Sequence, residues 1–287
     1  MTAQTSEGYL SEIFSSIQGE GGTVRGSCFG KRQIFIRLAG CNLANGAFNT
    51  SGCFWCDSPI AKKLKPEKYK YESIPGSQML ESSNNPVDSD KLIEIIRDLF
   101  TPDLHSISFT GGEPLHQVDF LVQTAEKMKD SSIKYPLYLE TNGSIRPNES
   151  QISKISELFG YCCCDIKDRY SKAADTDQWK NLVEIELDLI EILVNQGIDT
   201  FAKIIVTNET EIGDIKWISR ELSEIKYPDG QVVGLAIQPA FFDITDLIAK
   251  YNISNDHLNN IFYAAAKFLD PNCISLSIQA HKFLNLL

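Results

Sequence analysis

Three of the chain's eight cysteines lie in one stretch, "CNLANGAFNTSGCFWCDS", residues 41–58. Only Phe54 and Trp55 separate Cys53 from Cys56, and eleven residues separate Cys41 from Cys53. A structural zinc site takes four ligands, usually from two close pairs. Here no second pair stands nearby, and the histidines, at 105, 116, 257 and 281, are distant in sequence. Three readings stay open: zinc ligation, packing or redox thiols, and an iron–sulfur cluster held by thiolates. In the last, three ligands leave one iron free, and an open coordination position marks catalysis rather than structure. Asn42, Gly46, Asn49, Ser51 and Gly52 let the loop wrap a bulky inorganic group, which Phe54 and Trp55 could shield.

A second signal is "TGGEP", residues 110–114, after the β-branched run "SISF". Consecutive glycines allow a backbone to approach a ligand closely, and Glu113 offers an acceptor to an ammonium group. Glycines after a strand usually only make a turn, so this signal counts through its combination with the cysteine triplet. Arg37 supplies a planar fork suited to a carboxylate. Gln18 and Glu20, in "IQGEGG", offer the mixed donor and acceptor pattern that a guanidine-like ring edge requires.

These residues need elements to hold them. Strands are expected at "SISFTGG" (106–112), "YPLYLETNG" (135–143), "YCCCDIK" (161–167), "FAKIIVT" (201–207) and "QVVGLAIQP" (231–239). Helices are expected between them: "FLVQTAEKMKD", "ISKISELFG" closed by Gly160, "WKNLVEIELDLIEILVNQG" and "IGDIKWISRELSEI". This alternation implies parallel strands with crossover helices and a ligand site at the strands' C-terminal ends. About six to seven βα units fall short of the eight that close a barrel. The expected fold is therefore α/β, an open, partial TIM-like βα barrel, in one domain over 1–287. Residues 60–90 read as an insertion that is partly loop, and 252–287 as a C-terminal extension closing the pocket. Cys162, Cys163 and Cys164 read as core strand residues.

With 27 basic and 38 acidic residues the net charge is -11, which argues against binding along a nucleic-acid backbone. No apolar run reaches the about 18 residues of a membrane span. The start, "MTAQTSEGYLSEIF", lacks the features of a signal peptide, so a cytoplasmic location is expected.

On the cysteine triplet and GGEP the chain resembles the radical S-adenosylmethionine (SAM) enzymes. There three cysteines bind a 4Fe–4S cluster, and SAM chelates the fourth iron. The superfamily spacing is C-x3-C-x2-C, so the long first gap is a departure. Within it the chain resembles the 7-carboxy-7-deazaguanine synthase family of the queuosine and archaeosine pathways, some members of which carry a lengthened loop. The resemblance runs through "FSSIQGEG" (14–21), "IFIRLAGCNL" (34–43), "CFWCDS", "FTGGEP", "LETNG", "IQP" (237–239) and "QAHK" (279–282).

The resemblance implies a lyase that converts 6-carboxy-5,6,7,8-tetrahydropterin to 7-carboxy-7-deazaguanine and releases ammonia. It implies Cys41, Cys53 and Cys56 as cluster ligands. Trp55, Asp57, Gly112, Glu113, Glu140, Asn142, Gln238 and Pro239 match SAM-binding positions. Asp165 and Lys167 stand where the family has Ser-Pro-Lys, and the stretch 19–33 is longer than the family's. Ile17, Gln18, Gly19, Glu20, Arg37, Thr110, His281 and Lys282 match the substrate positions. Ser58 replaces a threonine that binds Mg²⁺ through its hydroxyl. A reductant such as flavodoxin or ferredoxin and a homodimer are implied, with no nucleic-acid or membrane partner. The "DIK" of "CCCDIKDRY" is also similar to glycyl-radical activating enzymes, which act on a protein glycine and do not need the SIQGEG–Arg37–QxHK set. That reading and a zinc-binding structural protein remain the alternatives.

Overall fold

The computed structural model describes residues 6–241, 252–284 and 286–287. Its strands are β1 (Glu7–Gly8), β2 (Leu10–Ile17), β3 (Arg32–Leu38), β4 (Lys68–Glu72), β5 (Leu80–Asn84) and β6 (Val87–Asp88). They continue with β7 (Leu104–Gly111), β8 (Leu137–Thr141), β9 (Phe159–Ile166), β10 (Asp199–Val206), β11 (Leu235–Pro239) and β12 (Ile274–Leu276). Ten of them form one sheet, ordered β12-β11-β10-β9-β8-β7-β3-β2-β4-β5. From β12 to β3 all neighbours are parallel, while β2 runs antiparallel to β3. Among the described residues β12 and β5 do not pair, so the barrel stays open.

The helices are α1 (Ser89–Asp98), α2 (Val118–Asp130), α3 (Glu149–Leu158), α4 (Thr176–Asn195), α5 (Ile212–Glu224), α6 (Asn255–Ala265) and α7 (Ala280–Leu284). Local chemistry starts several of them. Asp88 accepts from Lys91 N at the head of α1, and Asn148 and Gln151 form a capping box on α3. Alternation along each strand then sorts the faces. Leu137 and Leu139 of β8 pack under the helices, and Tyr138 between them points into the barrel with Cys163, Phe201 and Ala236. Cys162 and Cys164 face the helix layers and Cys163 the interior, all three buried.

The residues that follow β2 seal the open side. At Ile17 the chain is level with Arg32, the first residue of β3, and from there it crosses to the far strands. Gly21 N donates to Ser277 Oγ at 2.9 Å and Thr23 N to Ser275 Oγ at 2.9 Å. Side chains would block this crossing: a Cβ on Gly22 would stand 2.5 Å from Leu276 O, and one on Gly26 2.3 Å from Asp199 O. The long stretch 19–33 is thus a plug laid against β10 and β12.

One expectation is corrected. Gly160 does not close a helix: α3 ends at Leu158, and Phe159 turns straight into β9, with Gly160 inside the strand. Within 60–90, the stretch read as partly loop, β4 and β5 pair antiparallel and extend the sheet beyond β2. Their polar composition suits an edge with one exposed face. Glu72 fastens this hairpin. Its side chain is buried, Oε2 accepting from Ser15 N at 2.8 Å and Oε1 from Gln78 N at 2.7 Å. Glu72→Ala strands both donors and should lower unfolding free energy by about 1–3 kcal/mol in a urea melt. An unchanged midpoint would show that the hairpin does not hang on this carboxylate.

Candidate functional site

The tips of β3, β7, β8 and β9 surround one cavity, into which the 41–58 loop also faces. The loop is tied down at several points. Asn45 Nδ2 donates to Cys41 O at 2.7 Å and Lys62 O at 3.0 Å, and Phe54 N donates to Ser171 O at 2.7 Å. Gly52 has φ +87° and passes Ala44 so closely that a Cβ would stand 2.9 Å from its Cα. Cys41, Cys53 and Cys56 are free, half-buried and line the cavity together. Burial pushes the Cys53 thiol up to about 11, Lys167 opposes this, and the charges of Cys41 and Cys56 add to it. Burial likewise raises Cys56.

Three soft donors, with no fourth beside them among the described residues, fit an iron–sulfur cluster, in which each cysteine takes a different iron. Among the described residues no group of three or more Cys, His, Asp or Glu converges as the ligands of a single ion would.

The cavity wall opposite the thiols is polar. Arg37 and Thr110 are cross-strand neighbours on β3 and β7, and Glu12 lies beside Arg37 on β2. Arg37 Nε is 3.2 Å from Glu12 Oε2 yet misaligned for a hydrogen bond, so this buried N–H has no partner among the described residues. Another of its nitrogens meets Ser58 Oγ, which also donates to Asp57 Oδ1 at 3.1 Å. Glu140 accepts from Gln18 Nε2 at 2.7 Å and from Thr110 Oγ1 at 2.8 Å. Burial raises its carboxyl, and the charge of Glu20 adds to that. Asp165 lies 3.0 Å from Lys167 Nζ and 3.0 Å from Lys203 Nζ. Burial works against ionising Asp165, but these two lysines outweigh it and hold its carboxyl below the ordinary range.

Most of the residues expected from sequence meet here. Ile17, Gln18, Gly19, Glu20, Arg37, Trp55, Asp57, Ser58, Thr110, Gly112, Glu140, Asn142, Asp165 and Lys167 all line the cavity. Gln238 and Pro239 do not. Gln238 is buried behind Glu20, to which its Nε2 donates at 3.2 Å. Lys282 is exposed on α7, and the side chain of His281 lies outside the described residues. The terminal motif reaches the site through another residue: Gln279 Nε2 donates to Asp57 Oδ2 at 3.0 Å. Lys203, Phe14, Phe35, Thr141 and Leu287 also line the cavity and were not anticipated. Only Lys203 left a sequence signal, a lone charge inside the apolar run "FAKIIV".

Glu113 does not reach the cavity wall. It is fully buried, with Oε1 accepting from Thr141 Oγ1 at 2.7 Å and Leu115 N at 2.9 Å, and Oε2 from Asn142 N at 2.7 Å. Burial pushes its carboxyl up to about 7 against the pull of these donors. The glycines before it serve the protein's own packing: a Cβ on Gly112 would stand 2.4 Å from Gly40 O and 2.6 Å from Ala61 O. Glu113 therefore clamps the tip of β8, which carries Asn142, to the end of β7. In Glu113→Gln an amide NH₂ must face a backbone or hydroxyl donor. We expect a stability loss of about 1–3 kcal/mol in a denaturant melt, and an unchanged midpoint would show that the clamp is dispensable.

Comparison with known proteins agrees with this geometry. Residues 17–182 match the family described as a 4Fe-4S single cluster domain, a span that holds all three cavity cysteines. The chain is 36% identical to the 7-carboxy-7-deazaguanine synthase of Thermococcus kodakarensis, over 97% of this chain and 98% of the relative. It is 34% identical to that of Methanocaldococcus jannaschii, over 97% of this chain and 100% of the relative. The crystal structure of QueE from Escherichia coli superposes with a TM-score of 0.54 at 18% identity, covering 95% of this chain and 94% of that one, a likeness of fold. Through the two relatives, matched nearly end to end, the chain belongs to the 7-carboxy-7-deazaguanine synthase family.

Proposed function

We propose that the chain is a radical SAM lyase that contracts 6-carboxy-5,6,7,8-tetrahydropterin to 7-carboxy-7-deazaguanine with release of ammonia. The observation that carries this is the shared cavity: three free thiols line it from one loop, and the Arg37 guanidinium lines it from β3. When bound, cluster and SAM supply a 5′-deoxyadenosyl radical that takes hydrogen from the pterin carbon bearing the carboxylate.

The chain's own groups bind and orient. Cys41, Cys53 and Cys56 hold the cluster. Trp55, Asp57, Gly112, Asn142, Asp165 and Lys167 face SAM. Arg37 receives the substrate carboxylate, and a guanidinium fork suits that group. Gln18 is oriented on both sides, its Nε2 donating to Glu140 and to Gln33 Oε1 at 3.1 Å, its Oε1 accepting from Glu20 N at 3.1 Å. With the Gln18 and Thr110 donors spent on Glu140 and Gln33, Gln18 Oε1, the Glu20 carboxylate and Thr110 Oγ1 present acceptors to the pterin edge. Mg²⁺ belongs to the same reading, with Ser58 Oγ as a hard donor beside the Asp57 carboxylate. A reductant such as flavodoxin or ferredoxin, a homodimer and a cytoplasmic location complete it. Among the described residues no helix is long and apolar enough to cross a membrane.

Anaerobic turnover of the reconstituted, reduced protein with SAM and the carboxypterin tests the reading. Formation of 5′-deoxyadenosine without a deazapurine would remove the substrate and keep the radical chemistry. Cys53→Ala should hold less iron and form no 5′-deoxyadenosine; surviving cleavage would remove Cys53 from the cluster. Arg37→Ala should raise KM for the pterin by about ten-fold or more while SAM cleavage uncoupled from product continues. An unchanged KM would take Arg37 out of the substrate site.

A further inference from the structure

One lysine on the cavity floor has no role in the scheme above. Lys203, on β10, is buried, and its ammonium contacts Glu20 Oε2 and lies 3.0 Å from Asp165 Oδ1. A cation removed from water has to be paired, and Asp165 alone would meet that need. Asp165, however, already has Lys167 at 3.0 Å. Among the described residues Glu20 has no other cation: its other oxygen accepts from the neutral amide of Gln238, 3.2 Å from Oε1. It also stands in a run of glycines, with Gly21 and Gly22 both at positive φ, so its backbone does little to aim the side chain. The contact distinctive to Lys203 is therefore the one that fixes Glu20.

A carboxylate offers about four lone-pair sites, two on each oxygen. Lys203 and Gln238 occupy one on each, which leaves one acceptor site per oxygen on a residue that lines the cavity. Two acceptors side by side match two parallel donors. A 2-amino-4-oxopteridine presents such a pair, its ring N3–H and its 2-amino group, whereas a 2-oxo pteridine puts an oxygen in place of one of them. We propose that Lys203 is a positioning residue for substrate selection, aiming the Glu20 carboxylate so that the site accepts a 2-amino pteridine edge and refuses a 2-oxo one. The inference deepens the pterin reading and rests on it.

The probes are two unreactive aromatic acids, pterin-6-carboxylate and lumazine-6-carboxylate. They are titrated calorimetrically into the reconstituted protein with SAM and without reductant, so that turnover plays no part. The unsubstituted chain should prefer the pterin by at least about a hundred-fold, the scale at which a lost hydrogen-bonding pair is rejected. In Lys203→Met the preference should fall below about three-fold, mostly through lost pterin affinity, and Lys203→Arg should restore most of it. Lys203→Gln keeps a donor for Asp165 and gives the same readout if the methionine variant does not fold. In a Glu20→Gln background, adding Lys203→Met should change pterin affinity by less than about two-fold. A preference that survives loss of the lysine charge overturns the inference, as does an equal loss in both backgrounds or an unsubstituted chain without preference. An unsubstituted chain that binds no pterin-6-carboxylate overturns the proposed function as well.

Discussion

Charge taken out of water has to be matched by charge, and the barrel interior is arranged around that requirement. The register of β9 against β10 sets Asp165 directly beside Lys203. Lys167, two residues on in the same chain, turns back to Asp165, and Glu20 completes the set from the glycine-rich plug. Burial would push Lys203 toward its neutral form, but Asp165, Glu20 and neighbouring acids hold its ammonium well above the ordinary range. Two carboxylates and two lysines thus share one floor, and moving any of them leaves an unpaired ion in a low-dielectric site. The plug carrying Glu20 also seals the gap between the first and last strands. Laying the plug across the open barrel and building the polar floor are consequently one structural event.

The clearest division of labour lies at the strand tips. Glu113 sits in a motif whose residue types suggest a ligand contact, yet its oxygens are taken by Thr141, Leu115 and Asn142. Its contribution is to set the depth and direction of the β8 tip, where Asn142 faces the thiols: Asn142 Nδ2 is 4.0 Å from Cys41 Sγ. Gln238 is similar, standing behind Glu20 and itself held by Ser277 Oγ at 2.6 Å. Such residues keep chemically recognisable neighbours while acting through another side chain.

Much of the core could be read directly. Apolar β-branched runs ended by polar residues marked β7 through β11, because strands buried on both faces are nearly continuously hydrophobic. The cavity residues among them followed from position at the C-terminal tips. The reading failed where polarity and structure part company. β4 alternates Lys with Tyr69 and Tyr71, and β5 is mostly Glu, Ser and Asn, since an edge hairpin has one face in water. At Gly160 a glycine suggested a helix stop, but the stop is made by Phe159 adopting extended dihedrals. The path of the glycine-rich stretch after β2, with Gly21, Gly22 and Gly26 at positive φ, is a crossing to β10 and β12.

The sequence by itself determined the spacing of the three loop cysteines, the parallel βα order and the motifs that carry the family resemblance. Each of these depends on residue type and spacing along the chain, which local chemistry reads directly. Only the tertiary structure decided which polar side chains share a wall. Gln18 meets Glu140 across 122 positions, and Lys203 meets Glu20 across 183. Such pairings are set by strand register and by the path of the plug through the open barrel. No local pattern encodes them, because a lysine in an apolar strand looks the same whether it anchors a substrate-facing carboxylate or a surface one.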